Sequence, residues 1–332
     1  MLLRALICVI PLLAMSMKMN DLELVLDLRG SWKFNIGDDP NWAKPEFDDS
    51  DWIDINAPAP WENEGFHGYD GYAWYRRQIR IDPMAKDDGN MYYLDLGYID
   101  DVDEAFFNGE LIGFNGDFPP EFRTAYRSHR LYPIPKALLR DDGNNQIAIR
   151  VYDVISSGGM NSGSPGVYRK PAGKIRKIMV LEGIWKFHYG VDPLYRQTNF
   201  DDEDWLQLMV PGFWGSIKSV EREEFGTYRK QFVLTEGLQQ EKNLILFLGK
   251  IDDYDKVYLN GTLIGEMKDE LPMSQTYSWR TYRAYSIDPD VLNRYGENLI
   301  TVEVEDIGGK AGIYEGPVAI ATRANYKSLL GE

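Results

Sequence analysis

Cysteine is almost absent from this 332-residue chain. Cys8 is the only one and sits in an apolar N-terminal run, so the remainder can form neither a disulfide nor a cysteine-ligated metal centre. Histidine is scarce too: His67, His129 and His188 stand far apart, without a metal-ligand or nucleophile–base spacing, and no G-x-S-x-G elbow occurs. Positive charge is in deficit, with 36 Lys and Arg against 52 Asp and Glu and a formal charge of −16. Such a surface repels phosphate backbones, which excludes nucleic acid as the expected partner and leaves neutral ligands such as glycans. The N-terminal run LICVIPLLA falls short of the about 20 apolar residues that span a bilayer. Behind Arg4, and followed by small Ala14 and Ser16, it reads as a secretory signal peptide over residues 1–16. Export of an otherwise cysteine-free chain points to a bacterial periplasm or cell surface. Helical periodicity is nearly missing; PKALLRD (135–141) and PDVLNRY (289–295) each offer a single turn.

What the chain does have is itself, twice. GSWKFNIGDDP at 30–40 returns as GIWKFHYGVDP at 183–193, and FDDSDW at 47–52 as FDDEDW at 200–205. Pro58 and Trp61 match Pro211 and Trp214, and Tyr75-Arg76-Arg77-Gln78 matches Tyr228-Arg229-Lys230-Gln231. IDDVDEAFFNGELIG at 99–113 matches IDDYDKVYLNGTLIG at 251–265 with nine identities in fifteen, and NQIAIRVYD at 145–153 matches NLITVEVED at 298–306. Ordered matches at a nearly constant offset imply two copies of one domain, 22–170 and 171–323, with PAGKIRK (171–177) as the joint. Each copy reads as all-β. Ile147, Ile149 and Val151 alternate with polar residues, as do Ile300, Val302 and Val304. Asn108-Gly109 and Asn260-Gly261 mark two-residue hairpin turns. The expected fold is an antiparallel jelly-roll β-sandwich, repeated in tandem.

The order WKF, FDDxDW, PxxW and YDGYAWYRR (69–77) resembles the N-terminal sugar-binding domain of family 2 glycoside hydrolases. LGxIDDxDxxxxNGxxIG, followed by IPxxLL and a strand ending in Asp-x-x-x-x-Gly-Gly, is similar to the equivalent module of sialate O-acetylesterases. Both groups share the galactose-binding-like jelly roll. The resemblance implies a non-catalytic module that binds carbohydrate or packs against a glycan-degrading enzyme. The second copy ends near Ile320, and the dozen residues after it hold no catalytic domain, so an accessory role is expected. A glycosidase or sugar esterase acting between the copies is the alternative, since two placed carboxylates suffice for glycoside hydrolysis. A protein-interaction module is the third reading.

The repeat sorts the aromatic residues. Trp32/Trp185, Trp52/Trp205 and Trp61/Trp214 occur in both copies and read as core. Between Trp61 and Tyr75 the copies diverge: ENEGFHGYDGYAW (62–74) is aromatic and Gly-rich, whereas GSIKSVEREEFGT (215–227) is charged. If sugar binds, the expected site is therefore Phe66, His67, Tyr69, Asp70, Tyr72 and Trp74, rings to stack on a pyranose beside groups for its hydroxyls, Glu64 among them. Packing of the loop or docking of the sister copy is the other use of those rings. Two hairpin tips, 114–123 and 266–280, are a second candidate rim, without a clear polar constellation. Asp100, Asp101 and Asp103 recur as Asp252, Asp253 and Asp255. They are expected to cap turns or pair with Arg76 and Arg229. A structural calcium is the alternative use of those oxygens, and no other cofactor is expected.

Overall fold

The computed structural model describes residues 22–86, 90–120, 122–171, 178–214, 224–268, 277–308 and 311–325. The signal-peptide reading of 1–16 and most of the joint at 171–177 lie outside them. The protein is all-β, and its described residues form four antiparallel sheets, two built from each half of the chain. In the first half a six-stranded sheet runs in the order Ile53–Ala57, Gly30–Ile36, Gly71–Arg80, Asn144–Asp153, Val102–Phe107, Glu110–Asn115. The second half repeats that order with Leu206–Val210, Gly183–Tyr189, Phe225–Val233, Glu297–Glu305, Tyr254–Leu259 and Thr262–Met267. The other first-half sheet joins Glu23–Asp27, Gly166–Lys170, Met91–Asp100, Gly159–Ser162 and His129–Ile134. In the second half the single strand Gly312–Thr322 does the work of both Gly159–Ser162 and Gly166–Lys170. No helix among the described residues is long and apolar enough to cross a membrane.

Alternation along the strands decides what each sheet buries. Phe34, Tyr75, Ile149 and Phe107 of the six-stranded sheet meet Leu94, Leu96, Tyr132 and Val167 of its partner in one core. Phe187, Tyr228, Val302 and Leu259 meet Leu246, Leu248, Ile313 and Val318 in a second. The fully buried members of the first core all precede residue 168, and those of the second all follow 180; Met209 alone reaches from the second half onto the first core. Trp32 and Trp185 are anchored alike, each indole N–H donating to the carbonyl of Leu28 or Leu181. The hairpin turns form as the Asn-Gly pairs require, with φ of 53° and 87° at Asn108 and Gly109 and 49° and 81° at Asn260 and Gly261. The two stretches expected to offer one turn each are single turns. Lys136–Leu138 is a short 3-10 turn, Asp290 and Val291 sit in a plain turn, and among the described residues the one α-helix is Glu236–Gln239, one turn long.

The outer face of the first six-stranded sheet carries a smaller cluster of Trp42, Phe47, Trp52, Trp74 and Phe106. Trp52 and Trp205 take equivalent places, each against the rings at the matching positions, Trp42 and Phe47 or Tyr195 and Phe200. Trp52 is buried while Trp205 is half-buried. Arg76 and Arg229 do not pair with the Asp100–Asp103 and Asp252–Asp255 groups as expected. Arg76 binds Asp49 at 2.7 Å and Arg229 binds Asp202 at 2.6 Å, each also donating to three carbonyls of the preceding loop. The reason is the period of a strand. Arg76 shares the outer face with Trp74, whereas Asp103 lies in register with Ala105 and Phe107 on the core side. Inside the core Asp103 instead meets Arg130 of the facing sheet at 2.7 Å, and Asp255 meets Arg283 at 2.7 Å.

Candidate functional site

The loop expected to bind sugar is mostly structural. Trp74 is fully buried, stacks on Phe106 at 5.6 Å and donates its indole N–H to Asp38 at 3.1 Å, so it offers no face to a ligand. It shares the outward-facing parity of Tyr72 and Arg76 and fills the outer cluster, which corrects its assignment to the site. Phe66 packs on Phe34 at 4.8 Å, and Tyr69 lies against Trp61 at 5.8 Å while donating its hydroxyl to the Tyr72 carbonyl at 2.7 Å. Both rings pin the loop to the core. Glu64 accepts the Asn56 amide at 2.9 Å. Tyr72 is half-buried and joins a separate group, stacked on Phe118 at 5.8 Å and close to Tyr152 at 4.6 Å. The Arg150 guanidinium covers both Phe118 and Tyr72 and is held by Asp38 and Glu104. His67 and Asp70 are exposed. The corresponding second-half residues 215–223 lie outside the described part.

A different place gathers rings and polar groups. At the end of the first half, Tyr98, Ile99, Asp100, Tyr126, Arg127, Asn161 and Ser162 line an open cleft of about 430 Å3. The strand ending at Asp100 and the strand Gly159–Ser162 pair antiparallel, which sets Tyr98 beside Ser162 and Ile99 beside Met160. Gly97, at φ +67°, makes the bulge possible: a Cβ there would lie 2.1 Å from the Ser162 carbonyl oxygen. Tyr98 and Tyr126 are 41% and 44% exposed. Tyr98 rests edge-on against His129 at 5.4 Å, and Arg127 lies over the Tyr126 ring.

Beneath the cleft sit three carboxylates. Asp100, Asp101 and Asp153 each place an oxygen within 4.8 Å of the others. Asp101 accepts from the Thr124 hydroxyl and from the Val154 amide at 3.2 Å. Burial, with Asp101 alongside, pushes the Asp100 carboxyl up to about 6. Burial pushes Asp153 up to about 7, against the pull of the Ile155 amide, which stays outside hydrogen-bond geometry, and with the charges of Asp101, Asp100 and Asp70. Two carboxylates of raised pKa invite a hydrolytic reading. Of the three, however, Asp100 alone lines the cleft, and Asp153 is fully buried. A substrate in the cleft meets one carboxylate, which suits binding better than acid–base chemistry.

The second half fills the same place with its own side chains. Where the first half has Asn161 it has Tyr314, stacked on Phe213 at 5.1 Å with its hydroxyl donating to the Trp279 carbonyl. Where the first half pairs Tyr98 with Ser162 it pairs Lys250 with Glu315 in a 2.8 Å salt bridge. The signal was therefore in the repeat. The copies differ at 98/250, 126/279 and 161/314 as they do over 62–74, which marks the cleft, but Tyr98, Tyr126 and Asn161 lie outside the block of obvious divergence.

No family model matches the chain. Among curated proteins it is similar to the β-galactosidase BoGH2A of Bacteroides ovatus, 26% identical over 155 residues, which is 43% of this chain and 17% of that protein. Among solved structures it is similar to a β-glucuronidase of Bacteroides uniformis, at 16% identity, covering 88% of this chain and 28% of that one with a TM-score of 0.38. A glycosyl hydrolase family 2 member from Bacteroides cellulosilyticus aligns at 15% identity over 84% of this chain and 31% of its own, with a TM-score of 0.37. The relatives are glycoside hydrolases. The chain spans 17% of the curated relative and under a third of either solved one.

Proposed function

We infer that this chain binds carbohydrate through the first-half cleft and serves glycan degradation without hydrolysing the sugar itself. One observation carries the reading: two exposed tyrosine rings share an open cleft with a carboxylate, a guanidinium, an amide and a hydroxyl, and only in the half where that cleft is not filled by the protein's own rings. Rings cover the apolar face of a pyranose while the polar groups bond its hydroxyls, and the cleft lies within the about 300–1,000 Å3 of small-ligand sites. The similarity to part of a β-galactosidase supports the glycan side. With it we propose that the halves, 22–170 and 171–323, are tandem galactose-binding-like jelly rolls, that the chain is exported to the periplasm or cell surface, and that its protein partner is a glycan-degrading enzyme. The net charge of −16 argues against nucleic acid.

The test is a glycan array followed by calorimetric titration with the retained sugar, at an expected affinity on the order of 10 μM to 1 mM. Tyr98→Ala and Tyr126→Ala abolish retention while the melting temperature changes little, because both rings are more than 40% exposed in the cleft. Retention that survives both substitutions refutes the site. Turnover of chromogenic glycosides by the isolated chain refutes the non-catalytic role.

A further inference from the structure

Beside the cleft the two halves share one scaffold and differ in what it displays. Asp101 ties two loops together. Its carboxylate accepts from the Thr124 hydroxyl and, at 3.2 Å, from the Val154 amide, and its carbonyl accepts the Ala125 amide at 3.0 Å. In the second half Asp253 accepts the Ile307 amide at 3.0 Å in the same way, and Gly312 follows Asp306 at the spacing at which Gly159 follows Asp153. After that anchor the second half continues with Gly308-Gly309, whereas the first has Ile155-Ser156. The exchange is unfavourable twice. Ser156 holds φ at +83°, a left-handed conformation that glycine takes without strain and serine does not. Ile155 is 70% exposed and Val154 43%, apolar surface left in water. The loop is also held firmly: the Ser157 carbonyl accepts Asn161 Nδ2 at 2.7 Å, and the Gly158 amide donates to Glu62 at 3.2 Å. The scaffold does not require the two side chains, because Asp253 and Ile307 make the same anchor ahead of two glycines. Strain and exposure kept in one copy alone point to a ligand.

We propose that Val154 and Ile155 form an apolar subsite for the aglycone of a glycoside whose sugar lies in the cleft; the proposal rests on the sugar-binding reading above. The hydrogen bonds place the subsite. Asn161 and Tyr126 line the cleft, and both are tied to this loop, Asn161 through Ser157 and Tyr126 through Ala125 and Asp101. Size decides the occupant. Two aliphatic side chains match one phenyl ring or a short alkyl chain, whereas a protein partner covers about 800 Å2 on each side. The residues around the pair, Ser156, Thr124 and Arg127, are polar and exposed. An apolar aglycone gains by covering both side chains. A free sugar, with a hydroxyl on its anomeric carbon, has nothing to place there. In the second half Gly308 offers no side chain, and the Phe213–Tyr314 stack occupies the position of Asn161.

The experiment titrates the full chain by calorimetry with matched methyl and phenyl glycosides of glucose, galactose, mannose, xylose and N-acetylglucosamine. At least one pair binds, and its phenyl member binds about tenfold more tightly than its methyl member. Ile155→Ser, which keeps a Cβ and so the stiffness of the loop, removes most of that ratio while the methyl glycoside binds as before. Val154→Ser reduces the ratio in the same direction, and Ile155→Leu retains it. All three changes are at exposed side chains, and an unchanged melting temperature shows that the variants fold. A phenyl advantage that is absent, or that survives Ile155→Ser, overturns the subsite, as does an equal loss for both members of the pair. A panel in which no pair binds overturns it too, while the glycan array decides the sugar-binding reading on its own.

Discussion

Arg130→Met tests the physics of the ion pairs that cross each core. Arg130 and Asp103 are both 0% exposed and 2.7 Å apart, and the Tyr132 hydroxyl donates to the other oxygen of Asp103 at 2.6 Å. Methionine keeps much of the stem volume but leaves Asp103 with Tyr132 alone and strips three backbone carbonyls of their donor. Breaking a buried pair from one side costs about 3–5 kcal/mol, roughly a hundredfold to several thousandfold in the folding constant. The surface pair Arg29–Asp27, with side chains 59% and 43% exposed, sets the opposite limit: solvent screens it, and Arg29→Met leaves the unfolding midpoint nearly unchanged. Burial pushes the Asp103 carboxyl up despite the guanidinium beside it. Desolvation therefore outweighs the attraction, and the double variant Arg130→Met/Asp103→Leu regains stability over the single one. Urea unfolding followed by tryptophan fluorescence gives the energies. Calorimetry adds a second reading: with separate cores, Arg130→Met and its twin Arg283→Met lower different transitions. An Arg130→Met loss below about 1 kcal/mol refutes the reasoning.

Trp74→Ala costs about 3–5 kcal/mol in unfolding experiments and leaves glycan retention per folded molecule unchanged, because the indole is buried in the outer cluster; lost retention at full stability would return Trp74 to the binding site. Gly97→Ala costs about 1–3 kcal/mol, since a left-handed glycine would gain a Cβ against the Ser162 carbonyl, and a neutral melting temperature contradicts that. Burial, helped by Asp253, holds Asp252 at about 7 in the fold against 3.8 in the unfolded chain. Between those values the unfolded chain loses the proton first, so this group lowers stability as pH rises through that window. Asp252→Asn reduces the slope of melting temperature against pH there, and an unchanged slope rules Asp252 out as its source.

Local chemistry was enough for the repeat, the strands and the turns. Matched Trp residues, period-2 alternation and Asn-Gly pairs each act within a few residues, so the two cores and the hairpins at Asn108 and Asn260 were legible in the chain. Pairing across space was not. Arg76 and Asp103 recur together in both copies, yet they occupy opposite faces of one sheet, and which face an arginine takes depends on strand register rather than on its recurrence. Trp74 looked like a sugar platform because it ends an aromatic loop, but it is the fourth residue of the strand Gly71–Arg80, and its parity turns it onto Phe106. The cleft is the clearest case. Tyr98, Tyr126, Asp153 and Asn161 are distributed over more than 60 residues, and each reads locally as an ordinary strand or loop position. Only the closure of two sheets around one core brings the tyrosines and Asn161 to the cleft and leaves the Asp153 carboxylate buried beneath it without a partner.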